Sequence, residues 1–303
     1  MVKITDKITN PKLSYGIRFT ILLFWIVAML ALLRYEAFPE LFTNTLRGYR
    51  SVLPETVLIQ DNWSRIIING VPAGYSHTNM SVEDEKQNIE IMNRTRINIA
   101  VMGQPLNLSI RSTLLLDPQY NLITFESSVY TKAISLQVNG KHIKERQYEI
   151  TTTIGDTKTS QSIQIPKDAL LYSPMHTLAL RKLRPGQSIA IKTLDPLSMR
   201  STRIIVKAVK KEQIQHNHNT IEATLLTSTY QGMQLRSWID KNGTVLRQET
   251  PMGWVIENCN SEEALAAISS NTTPPDLAAN KSSALLMKLL FSTSFSTTKG
   301  EGN

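Results

Sequence analysis

Five histidines and one cysteine are the residues best suited to chemistry, so their placement decides which reactions the sequence can support. His216-Asn217-His218 would offer two imidazoles from one face of a strand to a metal ion. Zinc sites normally take three or four protein ligands, though, and this segment is polar, flanked by Lys210, Lys211 and Glu212, with no third ligand at a fitting spacing. A solvated hairpin is expected there. Cys259 could be a nucleophile if a histidine activated it. It lies in Glu257-Asn258-Cys259-Asn260, no histidine follows it, and no glycine-rich turn opens a long helix that would lower its pKa. An inert thiol is the expectation. No phosphate-cradling glycine loop, Gly-x-Ser-x-Gly elbow or His-Glu-x-x-His helix occurs. Asp195 and Asp240 stand in Asp195-Pro196 and Asp240-Lys241-Asn242-Gly243, where a carboxylate caps a turn. The sequence therefore points to no catalytic residue, no metal site and no cofactor.

The elements around these residues start with a membrane signal. Phe19 to Leu33 reads FTILLFWIVAMLALL, with Thr20 its only polar side chain. Extended back to Leu13 it includes one charge, Arg18, whose long stem can snorkel to the headgroups. About twenty helical residues at about 1.5 Å each span the roughly 30 Å of a bilayer's hydrocarbon core. Arg18, Phe19, Trp25, Leu33 and Arg34 are the expected anchor residues. A cleaved signal peptide is the alternative, but a cut after Ala31 puts Met29 at the −3 position and a cut after Ala37 puts Tyr35 there, where small residues are needed. Lys3, Lys7, Lys12 and Arg18 precede the apolar run, so the positive-inside rule leaves the N-terminus in the cytoplasm and the bulk of the chain outside it.

The chain has 303 residues, 33 Lys+Arg against 25 Asp+Glu, 41% apolar and 19% charged residues, which excludes an acidic disordered chain, a collagen, a coiled coil and a polytopic membrane protein. One cysteine excludes an intramolecular disulfide framework. Without residues 1–34 the remaining 269 carry 28 basic and 24 acidic residues, a net +4. Lacking a Lys/Arg block, that mild charge argues against nucleic acid as a partner.

From about Val57 to Glu257 the sequence alternates in twos, as in Ile89-Glu90-Ile91, Arg96-Ile97-Asn98-Ile99, Leu106-Asn107-Leu108-Ser109-Ile110, Ser188-Ile189-Ala190-Ile191 and Arg203-Ile204-Ile205-Val206. Turn punctuation recurs at Asn69-Gly70, Met102-Gly103, Asp117-Pro118, Asn139-Gly140, Gly155-Asp156, Pro185-Gly186 and Asn242-Gly243. A mainly β fold follows: an N-terminal transmembrane helix, then one antiparallel meander curled into a half-barrel, barrel or sandwich. Short helices are expected at Pro174 to Leu183 and at Ser261 to Ile268, the latter opened by Ser261. The expected organisation is a cytoplasmic N-terminus (1–12), an anchor (13–34), a linker (35–56), one β domain (57–258) and a helix with a Ser/Thr-rich tail (259–303). In that tail, residues 284–291 are apolar enough for a short helix that docks on the domain or on a membrane.

Four stretches occur in an ordered set. Trp63-Ser-Arg-Ile66-Ile-Ile-Asn-Gly70-Val-Pro-Ala-Gly74-Tyr75 opens two strands, and Leu116-Asp117-Pro118 precedes Asn121-Leu-Ile-Thr-Phe125. Leu183-Arg-Pro185-Gly186 leads to Leu194-Asp195-Pro196, and Trp238-Ile-Asp240-Lys-Asn-Gly243 runs on to Pro251-Met-Gly253. Together they resemble the β-rich extracytoplasmic domain that precedes the transglutaminase-like domain of bacterial membrane-anchored proteins and, more remotely, periplasmic half-barrel carriers of lipoproteins and lipids. The Cys-His-Asp catalytic unit of that family has no counterpart here. The resemblance implies an accessory, non-catalytic domain of the bacterial inner membrane that faces the periplasm and binds an envelope protein or an apolar ligand; the alternatives are a degenerate hydrolase or thiol enzyme of the cell envelope, or a structural scaffold that recruits partners through its C-terminal tail. Trp63, Tyr75, Trp238 and Trp254 are the expected core or groove aromatics.

Overall fold

The structure is a computed structural model. It describes residues 11–32, 44–45, 49, 60–83, 87–101, 103–166, 169–171, 180, 183–194, 201–230, 233–251, 253–269 and 273–276, with the side chains of 11–18, 31, 44, 45, 230 and 233 outside that description. The chain divides into two compact units, Met1–Asn44 and Thr45–Asn303.

The first unit is built on helix α1 (Pro11–Leu32), whose 22 residues at about 1.5 Å each give about 33 Å. Its apolar side chains from Phe19 to Leu30 are exposed all round, with Phe19 and Trp25 each 68% accessible. Among the described residues no helix is long and apolar enough to cross a membrane. Leu33 and Arg34 lie outside the described residues, as does the Arg18 side chain.

The second unit is one sheet. Its strands are β2 (Gln60–Ile68), β3 (Val71–Val82), β4 (Ile89–Val101), β5 (Gln104–Leu116), β6 (Leu122–Tyr130), β7 (Ser135–Lys144), β8 (Gln147–Ile154), β9 (Thr157–Gln164), β10 (Ala169–Leu171), β11 (Ser188–Leu194), β12 (Ser201–His216), β13 (Asn219–Tyr230), β14 (Met233–Ile239), β15 (Val245–Glu249) and β16 (Trp254–Cys259), after a two-residue β1 (Asn44–Thr45). The strands from β2 to β9 pair in sequence order, as do those from β11 to β16. The antiparallel β16–β2 pair joins the two runs, and β10 pairs in parallel with β11. The order does not return on itself, so the sheet is open.

Alternation sets the two faces. Register aligns Met80, Ile91, Leu114 and Phe125 across β3 to β6 on what we call the inner face. These residues share one core with Val138 and Ile150 of the adjoining β7 and β8, and with Ile191, Val206, Leu226 and Ile239 from β11 to β14, far away in the sheet order. The sheet must therefore bend until its two runs face each other, and its inner apolar side chains fill the space between them. Tyr148 closes the same core, donating its hydroxyl to the Leu122 carbonyl at 2.8 Å, and burial pushes its pKa up to about 12. A second inner cluster gathers Ile66, Ile68, Ile97, Ile99 and Leu108. Between the two clusters lies buried Asn93, whose amide donates to Thr78 Oγ1 at 2.8 Å and Ser76 Oγ at 3.1 Å, so its burial leaves no amide hydrogen wasted.

Asn69-Gly70 forms the expected turn between β2 and β3, with φ of 52° and 79°. Asn139-Gly140 does not turn. It sits inside β7, where Gly140 faces Phe125 in register and a Cβ would come within 2.0 Å of the Phe125 ring. The glycine is there so that the ring can lie across it; the β7–β8 turn falls at Glu145, whose φ is 49°. The second expected helix is present as α2 (Ser261–Ser269), but its cap is Asn260 rather than Ser261: the Asn260 Oδ1 accepts the Glu263 amide at 2.8 Å. The helix expected over Pro174 to Leu183 and the apolar stretch 284–291 fall largely or wholly outside the described residues. Further on, the Ala100 amide donates to the Pro275 carbonyl at 2.9 Å, tying the start of the tail to β4.

Candidate interaction face

The other, outer face of the sheet carries a ladder of charged side chains with Tyr75, Tyr130 and Trp238 among them. One register row runs Lys210, Leu225, Trp238, Arg247, Glu257, Arg65, Tyr75, Arg96, Ser109, Tyr130 across the strands from β12 to β6. Over β14 to β2 its charges are matched. Glu257 sits between Arg247 Nη1 at 2.7 Å and Arg65 Nη2 at 2.9 Å, and Arg247 also reaches Glu249 at 2.8 Å. Glu249 in turn pairs with Arg236, whose guanidinium lies 5.5 Å from the centre of the Trp238 ring. Trp238 Nε1 donates to Glu212 Oε1 at 2.6 Å, and the hydrogen bond from Lys210, followed by that from Trp238, holds the Glu212 carboxyl below its usual range.

A second cluster occupies the outer face of β2 and β3. Trp63 stacks on His77 with ring centres 3.9 Å apart. Asp61 accepts from the Trp63 indole at 3.2 Å and pairs with His77 Nε2. Chiefly because of that His77 hydrogen bond, the Asp61 carboxyl stays below the normal carboxylate range. α2 covers the neighbouring part of the face, packing Ala264 and Ile268 against Tyr75, Cys259 and Trp63.

The four aromatics thus separate. Trp63 and Tyr75 share the cluster under α2, Trp238 is buried with Ala223, Leu225 and Leu246, and Trp254 packs on the second inner cluster. They do not converge on one groove. His216 ends β12, and Asn217 and His218 form its exposed hairpin turn with φ of 47° and 64°; no group of three metal-ligating side chains occurs among the described residues. Asp240 caps its turn, accepting the Asn242 and Thr244 amides at 2.8 Å each. It also borders a cleft of about 510 Å3 with Arg184, Lys211, Glu222 and Lys241, where Lys211 and Glu222 pair at 2.9 Å. Asp195 lies outside the described residues.

Cys259 is buried, and burial, then the nearby Glu263 carboxylate, raises its thiol pKa. Because the thiolate is the reactive form, labelling of the native protein by a thiol reagent at pH 7.5 is expected to be at least about tenfold slower than labelling in denaturant. A native rate equal to the denatured one would show an accessible, activated thiol instead.

What the sequence reading missed on this face is Arg94, Arg96 and Arg111. The only signal within a strand is the pair Arg94-x-Arg96 on alternate positions; that Arg111 stands directly opposite Arg94 is decided by the β4–β5 register.

No known family profile matches the chain, and no curated protein does either. Among solved structures, it is similar to a beta-barrel-like protein of a domain of unknown function, DUF1849, from Brucella abortus, with a TM-score of 0.43 and 10% identity over 66% of this chain and 96% of that one. It is also similar to a DUF1089 family protein from Pseudomonas aeruginosa, with a TM-score of 0.35 and 16% identity over 58% of this chain and 89% of that one.

Proposed function

We propose that this protein is a non-catalytic, single-pass protein of the bacterial inner membrane, whose β domain faces the periplasm and docks an envelope protein on the outer face of its sheet. The observation that carries the reading is the division of labour between the faces. The inner apolar side chains of both runs pack against one another, while the outer face presents arginines and the exposed Tyr130, residue types enriched where proteins meet. An apolar ligand fits less well, because the inner face that would cradle it is the core.

The described part of α1 is not by itself long and apolar enough to span; anchoring is supported by the apolar run of residues 19–33, whose side chains from Phe19 to Leu30 are exposed, a surface that water disfavours and lipid accepts. The basic residues at 3, 7, 12 and 18 support a cytoplasmic N-terminus.

Two measurements test this. The full chain is expected to stay with membranes after carbonate extraction and to lose that retention in Leu23→Arg, since a central arginine costs about 2.5–3.5 kcal/mol of insertion. Release of the unaltered chain by carbonate would remove the anchor. A photo-cross-linker at Tyr130, exposed on the outer face, is expected to give one discrete adduct in intact cells, and one at His218, in the exposed β12–β13 hairpin turn, none. Equal yields from both positions would remove the docking face.

A further inference from the structure

We propose that Arg94, Arg96 and Arg111 form a binding site for a phosphate group on the outer face of β4 and β5. Arg94 and Arg111 are direct cross-strand partners, and Arg96 lies two residues along β4 on the same face, opposite Ser109. Like charges placed directly opposite each other destabilise a sheet. On the neighbouring strands β2, β14 and β15 the arginines of this face have carboxylates: Arg65 has Glu257, Arg247 has both Glu257 and Glu249, and Arg236 has Glu249.

The three on β4 and β5 have none among the described residues. The carboxylate one row away in register, Glu126, instead accepts from Gln137 at 2.9 Å. Arg94 Nε is moreover buried without a hydrogen-bond partner, the one such side-chain atom among the described residues. A buried unpaired donor and uncompensated repulsion are both costs that an oxyanion would remove. Guanidinium forks match phosphate oxygens two at a time, which a lone lysine-type charge does not. Tyr130 and the Trp63–His77 stack border the cluster through the same register rows.

This goes beyond the docking reading, since a phosphate group can bind here whether or not a protein docks, and soluble probes test it without membrane or partner. The full chain, in uncharged detergent at low salt, is titrated with inorganic phosphate and with dimethyl phosphate by calorimetry. Saturable binding is expected, weakened about tenfold or more in Arg111→Gln and in Arg94→Gln and unchanged in the equally charge-neutralising Lys158→Gln. Binding of inorganic phosphate alone identifies a free dianion as the ligand. Binding of dimethyl phosphate as well identifies the phosphodiester of a lipid headgroup or polymer. Without ligand, Arg111→Gln is expected to melt about 1–3 °C higher than the unaltered chain, because one repelling charge is gone. Arg111→Lys, which keeps the charge but not the fork, is expected to bind more weakly than the unaltered chain and guards against a misfolded glutamine variant. No saturable binding of either probe, equal affinity in Arg111→Gln, or a lower melting temperature for it would each overturn the proposal.

Discussion

Gly74→Ala is expected to destabilise the β domain by about 3 kcal/mol or more, read as a shift of the urea midpoint. A Cβ at Gly74 would lie 2.0 Å from the Arg96 carbonyl oxygen and 2.9 Å from the Ile97 Cα. Both obstacles are backbone, so no rotamer change relieves them. The reason for the close approach is the bulge beside it: Ile66 pairs with Gly74 while Ile67 pairs with Pro72, leaving Ala73 as the extra residue, buried in the second inner cluster. The substitution would force β3 away from β4 at the point where the bulge turns the strand. Gly103→Ala is the matching control. Gly103 has a φ of 74° but open space around its Cα, so only backbone strain of about 1 kcal/mol is expected. If both variants cost the same, the close approach of β3 and β4 is not the reason for Gly74.

Glu257→Gln should be the most disruptive change in the charged ladder. Its carboxylate side chain is 15% accessible and serves Arg65 and Arg247 from the joining pair β16–β2. Arg247 retains Glu249, so Arg65 is the group left without a partner. Arg65 is 39% accessible, and water would meet part of its need, which holds the expected loss to about 1–2 kcal/mol. Adding Arg65→Met to Glu257→Gln is expected to recover part of that loss, because a stranded cation costs more than an absent pair. Equal stability of the single variant and the unaltered chain, in denaturant unfolding, would show that the ladder adds nothing where the two runs join.

The sequence determined the β class, because strict alternation in stretches such as Ile89 to Ile99 fits only a pleated strand with one dry face, and it determined most of the turns, because Asn-Gly and Pro-Gly pairs supply backbone angles that few other residues adopt. It also determined the capping work of Asp240, which depends on neighbours close in the chain. Tertiary structure alone decided the rest. Asn139-Gly140 reads as a turn until Phe125 is seen lying across it. The pairing of β16 with β2 brings Glu257 to Arg65, 192 positions away, and the β4–β5 register sets Arg94 against Arg111. Those partners are chosen by long-range strand register, a property of which local composition carries no trace.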